Sequence, residues 1–239
     1  MRSTKAAARR AGVLYLLAGL PGVFVYLYLP SKFVVPGDAA ATARRIAGDI
    51  GTYRLGLLTD LVGQIFLIAL VLSLYNLLKD ADRKYARLMV VLVAVGVAFQ
   101  TVNALNLMAP LVLLNGASYW SVFTRPQLEA LALGFLQLRG DALFVSQIFW
   151  GLWLFPFGML VLKSGFFPSI LGVLLIVACV AYVAASFAFL VVPAHSHLLI
   201  HLGQGFGGLG EAAITFWLLV MGVRSPAVAT DSVNRLAPS

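Results

Sequence analysis

A chain of 239 residues that is 61% hydrophobic and only 11% charged lacks the polar surface of an ordinary soluble domain, which is about 45–50% apolar and about 25% charged. Its mean hydropathy of +0.95 places most of it in lipid. The net charge is +8, but the basic residues lie between apolar runs, where they meet lipid headgroups, so the expected partners are membrane lipids and not nucleic acid. The single cysteine, Cys179, sits inside an apolar run, which excludes an intrachain disulfide and a thiolate metal cluster.

In chain order, residues 1–10 read as a basic tail and residues 11–224 as one transmembrane domain. The first apolar run, Ala11–Leu29, ends in Tyr26, Tyr28 and Pro30. A secretory signal has an apolar core of about 7–15 residues and a small-residue cleavage site, so a retained first span is expected, kinked at Pro21. Pro30–Arg54 is a loop in which Asp38 caps a short interfacial helix reaching about Ala47. Leu55–Leu78 is the second span and Lys79–Arg87 a charged connector. Leu88 to about Leu114 is the third span. Asn115–Gly140 reads as a second long loop, with a short interfacial helix starting at Arg125-Pro126. Leu143–Leu162, Pro168–Val192 and Leu198–Val223 complete the count, with Pro156 inside the fourth span. The polar tail 225–239 is expected to be disordered and cytoplasmic.

The expected fold is therefore all-α: an integral membrane bundle of six transmembrane helices with two longer outer loops. Spans of this length suit a hydrocarbon core of about 30 Å. Most of the 17 Lys and Arg residues fall on the side of the N-terminus, among them Arg9, Arg10, Lys79, Lys84 and Arg87. The positive-inside rule then places both termini on the cytoplasmic face of the inner membrane.

With that orientation, the polar residues inside the spans collect in the outer half. Asp60, Gln64, Asn103, Gln147, Gln204 and Glu211 are the expected lining of one outward-facing cavity, because ionisable groups in hydrocarbon face protein or water. The ligand class is a small or amphipathic molecule, including lipids. On the last span, His197, His201, Gln204, Gly208 and Glu211 share one helical stripe. His195, His197 and His201 form H-x-H-x-x-x-H, and the i,i+4 pair aims two imidazoles from one face, which makes zinc a candidate ligand. The alternatives this opens are a metal-dependent membrane hydrolase using the histidines and a proton-coupled transporter using Glu211. The glycines at 203, 205, 207, 208 and 210 read as helix packing, since Gly203-x-x-x-Gly207 is a close-approach spacing. No Ser-His-Asp set can be argued from spacing, so no catalytic residue is assigned.

Several phrases carry a family resemblance: Pro36-Gly37-Asp38 with Ala41-Thr42, Tyr53-Arg54-Leu55-Gly56 with Asp60, and Trp150-Gly151-Leu152-Trp153 through Gly158. Ser164-Gly165-Phe166-Phe167-Pro168 and Leu171-Gly172-Val173-Leu174 belong with them. From about Ala11 to Trp217 the chain resembles the bacterial multi-pass membrane family known as domain of unknown function 4386. The resemblance implies an integral membrane protein and supplies no activity or cofactor; the histidine cluster is outside its pattern. A more distant likeness is to membrane hydrolases of the alkaline ceramidase type, whose zinc site includes an H-x-x-x-H pair. His197 and His201 fit that pair, but the further histidine such enzymes take from another helix has no counterpart outside residues 195–201.

Overall fold

The computed structural model of the chain describes residues 2–192 and 197–223. It is built of helices throughout. Helix α1 (Arg2–Val23) passes into a π-helical turn (Phe24–Tyr28) and the short α2 (Leu29–Phe33). Then come α3 (Ala39–Gly48), α4 (Ile50–Leu78), α5 (Arg83–Leu113), α6 (Arg125–Leu152), α7 (Leu154–Ser164), α8 (Ser169–Val191) and α9 (His197–Val220). Among the described residues, five helical stretches are long and apolar enough to cross a membrane: Thr4–Phe33, Ile50–Leu78, Arg83–Leu113, Arg125–Ser164 and Ser169–Val191.

Local chemistry sets the boundaries. Asp38 accepts from the Ala41 N–H at 2.8 Å to start α3, and Asp49 from the Thr52 N–H at 3.0 Å to start α4. Asp82 starts α5 by accepting from Lys84 N–H at 3.0 Å and Tyr85 N–H at 3.2 Å. Each side chain satisfies donors that the first helical turn leaves free. Lys32, followed by the Thr52 N–H, pushes the Asp49 carboxyl down to about 2. An ion pair with Lys163 at 2.6 Å likewise lowers that of Asp82 and ties the start of α5 to the end of α7. Pro156 has no N–H to give to Leu152, and the backbone breaks at Trp153, which separates α6 from α7. Gly165, at φ +66°, ends α7 in the left-handed conformation, and Pro168 follows within three residues.

Two expectations are corrected. The basic segment 1–10 is not a separate tail, because α1 begins at Arg2 and buries Ala8 and Ala11 completely. The short interfacial helix expected after Arg125-Pro126 is not separate either. It is the first half of α6, which runs unbroken through Gly134 and Gly140 to Leu152. A glycine weakens a helix by about 1 kcal/mol but does not stop one that is held by packing, and α6 packs along α5 and against α3. The expected short helix after Asp38 is present as α3. Residues 225–239, expected as a tail, lie outside the described residues.

The long helices form a closed ring in the order α1, α4, α5, α6–α7, α8, α9 and back to α1. The main apolar core fills one end of the ring. There Leu70, Leu74 and Leu78 of α4 meet Met89 and Val93 of α5, Phe157 and Leu160 of α7, Leu175 of α8, and Ile214 and Leu218 of α9. The buried polar side chains Asp60, Gln64, Gln100, Asn103, Arg139, Ser146 and Gln147 sit further toward the other end. At about 1.5 Å per residue, α5 is about 46 Å long, so it outruns a hydrocarbon layer of about 30 Å. Its far end, with the start of α6 and with α2 and α3, forms the rim of the bundle at the end away from the main apolar core.

Candidate functional site

The rim of the bundle is organised by Arg139. It is only 6% exposed, in the middle of α6, and its Nη2 donates to Asp60 Oδ2 of α4 at 3.0 Å. Tyr26 completes the group. Its hydroxyl donates to Asp60 Oδ1 at 3.3 Å, and the guanidinium carbon lies 5.8 Å from the centre of its ring. The π-helical turn that carries Tyr26 adds a residue to the turn and closes with the Leu29 N–H on the Phe24 carbonyl. Such turns occur at functional sites because they re-aim a side chain without ending the helix. An amide chain continues from the pair: Asn103 Nδ2 donates to the Arg139 carbonyl at 3.2 Å and to Gln100 Oε1 at 3.4 Å, and Asn106 Nδ2 donates to Asn103 Oδ1 at 2.9 Å.

Beside the ion pair lies a cavity of about 160 Å³. The turn at Val25 and Tyr26, α2 with Leu29 and Phe33, Tyr53 of α4, Leu107 of α5, and Leu136, Arg139 and Leu143 of α6 line it. Tyr53 is fixed there by a hydrogen bond to the Leu107 carbonyl at 2.7 Å and by an edge contact with Phe33 at 5.3 Å. Arg139 Nη1 is buried with no hydrogen-bond partner among the described residues. A buried donor on a charged group is seldom left unmatched, and each such case calls for an explanation.

A second polar group lies deeper. Tyr15 of α1 donates to Glu211 Oε2 of α9 at 3.1 Å, and the Tyr182 side chain of α8 stands beside the same carboxyl group. Glu211 is about 13 Å of helix from the end of α9 at Val220, whereas Asp60 is about 27 Å from the end of α4 at Leu78. The carboxylates thus sit at different depths. Gln147 bridges toward the second group, donating to the Tyr182 carbonyl at 3.2 Å and accepting from Gln204 Nε2 at 2.7 Å. Aromatic contacts join the two groups: Tyr26 and Trp150 rings are 6.0 Å apart, and Gly151 abuts Tyr182.

Five of the six polar residues expected around one cavity therefore divide between two networks. Asp60 and Asn103 gather around Arg139; Gln147, Gln204 and Glu211 gather around Tyr182. Gln64 is buried with its Oε1 unpartnered among the described residues. None of the six lines the 160 Å³ cavity itself, whose polar lining is Tyr26, Tyr53, Gln137 and Arg139. Of the histidine stripe, His201 is exposed. His195 and the His197 side chain lie outside the described residues, and no group of three or more His, Cys, Asp or Glu residues comes together among the described ones.

The glycines of α9 have a clear structural use. A Cβ on Gly203 would meet the Ala181 carbonyl at 2.8 Å, one on Gly210 the Leu174 carbonyl at 2.9 Å, and one on Gly207 the Tyr182 ring. These three face α8. Gly205 and Gly208 face open space.

A ring of long apolar helices with charged side chains sealed inside it is a multi-pass membrane protein. Over residues 10–222 the chain matches the family model described as Domain of unknown function (DUF4386), and it belongs to that family. No curated protein and no solved structure matches it.

Proposed function

We propose that the chain binds a small or lipid-like ligand at the rim of the bundle, in the chamber beside Arg139. The observation that carries this reading is a cavity of about 160 Å³ lined by a buried arginine whose Nη1 has no partner among the described residues. Burying a guanidinium and a carboxylate is expensive, and an apolar pair of the same volume often packs as well. Their presence beside a cavity, not within the tight apolar core, fits a recognition role better than a structural one. Asp60 and Tyr26 hold the guanidinium in place, and Asn103 ties down the Arg139 carbonyl; the cavity and Arg139 meet the ligand.

Native mass spectrometry of the detergent-solubilised protein tests the reading. The wild type carries a co-purifying adduct, and the cavity-filling variant Leu136→Trp loses it while keeping its helix content. An adduct-free wild type whose heat stability matches that of Leu136→Trp would leave only a structural bundle.

The proposal includes six spans, α9 being the sixth, in the cytoplasmic membrane with both termini inside. The excess of Lys and Arg at the Arg9, Lys79 and Lys84 end supports this orientation, as does the length of α9, which at 24 residues suffices to cross. In a Cys179→Ala background, Ala40→Cys should react with an impermeant maleimide on intact cells and Lys5→Cys only after lysis. The reverse pattern inverts the topology and moves the chamber to the inner face.

A further inference from the structure

We infer that the ligand of the Arg139 chamber is an uncharged hydroxyl compound with an apolar body the size of one aromatic ring. This rests on the binding reading above and adds its chemistry. Three observations carry it.

The first is size. A dry apolar cavity of about 150 Å³ admits benzene, and this one measures about 160 Å³. A long acyl chain would have to extend out of its mouth. The second is charge. Asp60 already neutralises Arg139 at 3.0 Å, with both side chains almost wholly buried. An anionic ligand would bring a second, uncompensated negative charge beside the Asp60 carboxylate in a medium of low dielectric, where unpaired charge is heavily penalised. A neutral oxygen accepting from Arg139 brings no such penalty.

The third is the sense of the hydrogen bonds. Arg139 can only donate. Tyr53 lines the same cavity with its proton committed to the Leu107 carbonyl, so its oxygen is left as an acceptor. Arg139 and Tyr53 therefore offer a donor and an acceptor, beside the Tyr26 oxygen and the Gln137 amide that complete the polar lining. A hydroxyl group accepts from the first and donates to the second; a ketone or ether uses only one. The walls of Val25, Leu29, Phe33, Leu107 and Leu136 suit a hydrocarbon body.

Phenol, benzoate and toluene have nearly the same shape and separate these possibilities. Titrated into the solubilised full-length protein and followed by ligand-observed NMR, phenol should bind at least ten-fold tighter than benzoate or toluene. Leu136→Trp should abolish phenol binding. In Asp60→Asn, where Arg139 is no longer neutralised, benzoate should overtake phenol. The wild-type series with Leu136→Trp decides the matter even where Asp60→Asn fails to fold. Wild-type protein that prefers benzoate overturns the neutral-hydroxyl inference while leaving the binding reading intact. Equal signals from all three compounds that persist in Leu136→Trp reflect partition into detergent and overturn it as well. Silence from all three in a protein that carries a native adduct has the same consequence; silence with no adduct removes the parent reading too.

Discussion

Replacing Arg139 with alanine should lower the unfolding free energy of the detergent-solubilised protein by about 3–5 kcal/mol, and Asp60→Ala should do the same. Each change leaves the opposite charge buried without its partner at the 3.0 Å contact. Among the described residues, Asp60 would retain the Tyr26 hydroxyl at 3.3 Å, and Arg139 the face of the Tyr26 ring. The double variant Asp60→Leu/Arg139→Met removes both charges and restores apolar volume, so it should recover most of the loss. The measurement is equilibrium unfolding of the two single variants and the double variant, treated as a cycle. Additive losses would show that the two side chains do not act as a pair, and the structural basis of the chamber would fail with them.

This pair also shows where the sequence is informative and where it is silent. Asp60 is legible because it interrupts an otherwise apolar run, and a lone carboxylate in hydrocarbon needs a partner. Arg139 is not, because Gly140-Asp141 after it reads as a loop boundary. The helix continues because α5 and α3 pack against α6, which is a tertiary effect. One signal was available. Ser146 and Arg139 are seven residues apart, two helical turns, and Ala132 is seven before that; all three are buried on one face. The tyrosines are harder. Tyr15, Tyr26 and Tyr182 each look like an ordinary membrane aromatic, and only the packing of α1, α8 and α9 shows that two of them hold Glu211. The caps at Asp38 and the break near Pro156 follow from local chemistry, and they stand where that chemistry puts them. The rim cavity does not, since its walls come from four helices and the π-helical turn, distant in the chain.

The glycines of α9 give the second large effect, and they divide by face. Gly207→Ala should cost about 1–3 kcal/mol, the usual penalty for overpacking. The added methyl would run into the Tyr182 ring, and moving that ring disturbs its place beside Glu211 and shifts the contacts at Gly151. Gly203→Ala and Gly210→Ala meet backbone carbonyls of α8 at 2.8 and 2.9 Å, which yield less readily than a side chain, so they fall in the same range. Gly208→Ala is the internal control. Its Cβ meets nothing, and the change gains about 1 kcal/mol of helix propensity, so that variant should be unchanged or slightly more stable. The four variants unfolded side by side thus test whether α8 and α9 touch through small residues. If Gly207→Ala and Gly208→Ala behave alike, α9 is rotated from the position described, and the Tyr15–Glu211–Tyr182 contact is lost with it. If they separate as expected, the face of α9 that carries Gln204, Gly208 and Glu211 is set by the glycines on the adjoining face. Close packing against α8 then explains why the carboxylate meets two tyrosines instead of lipid.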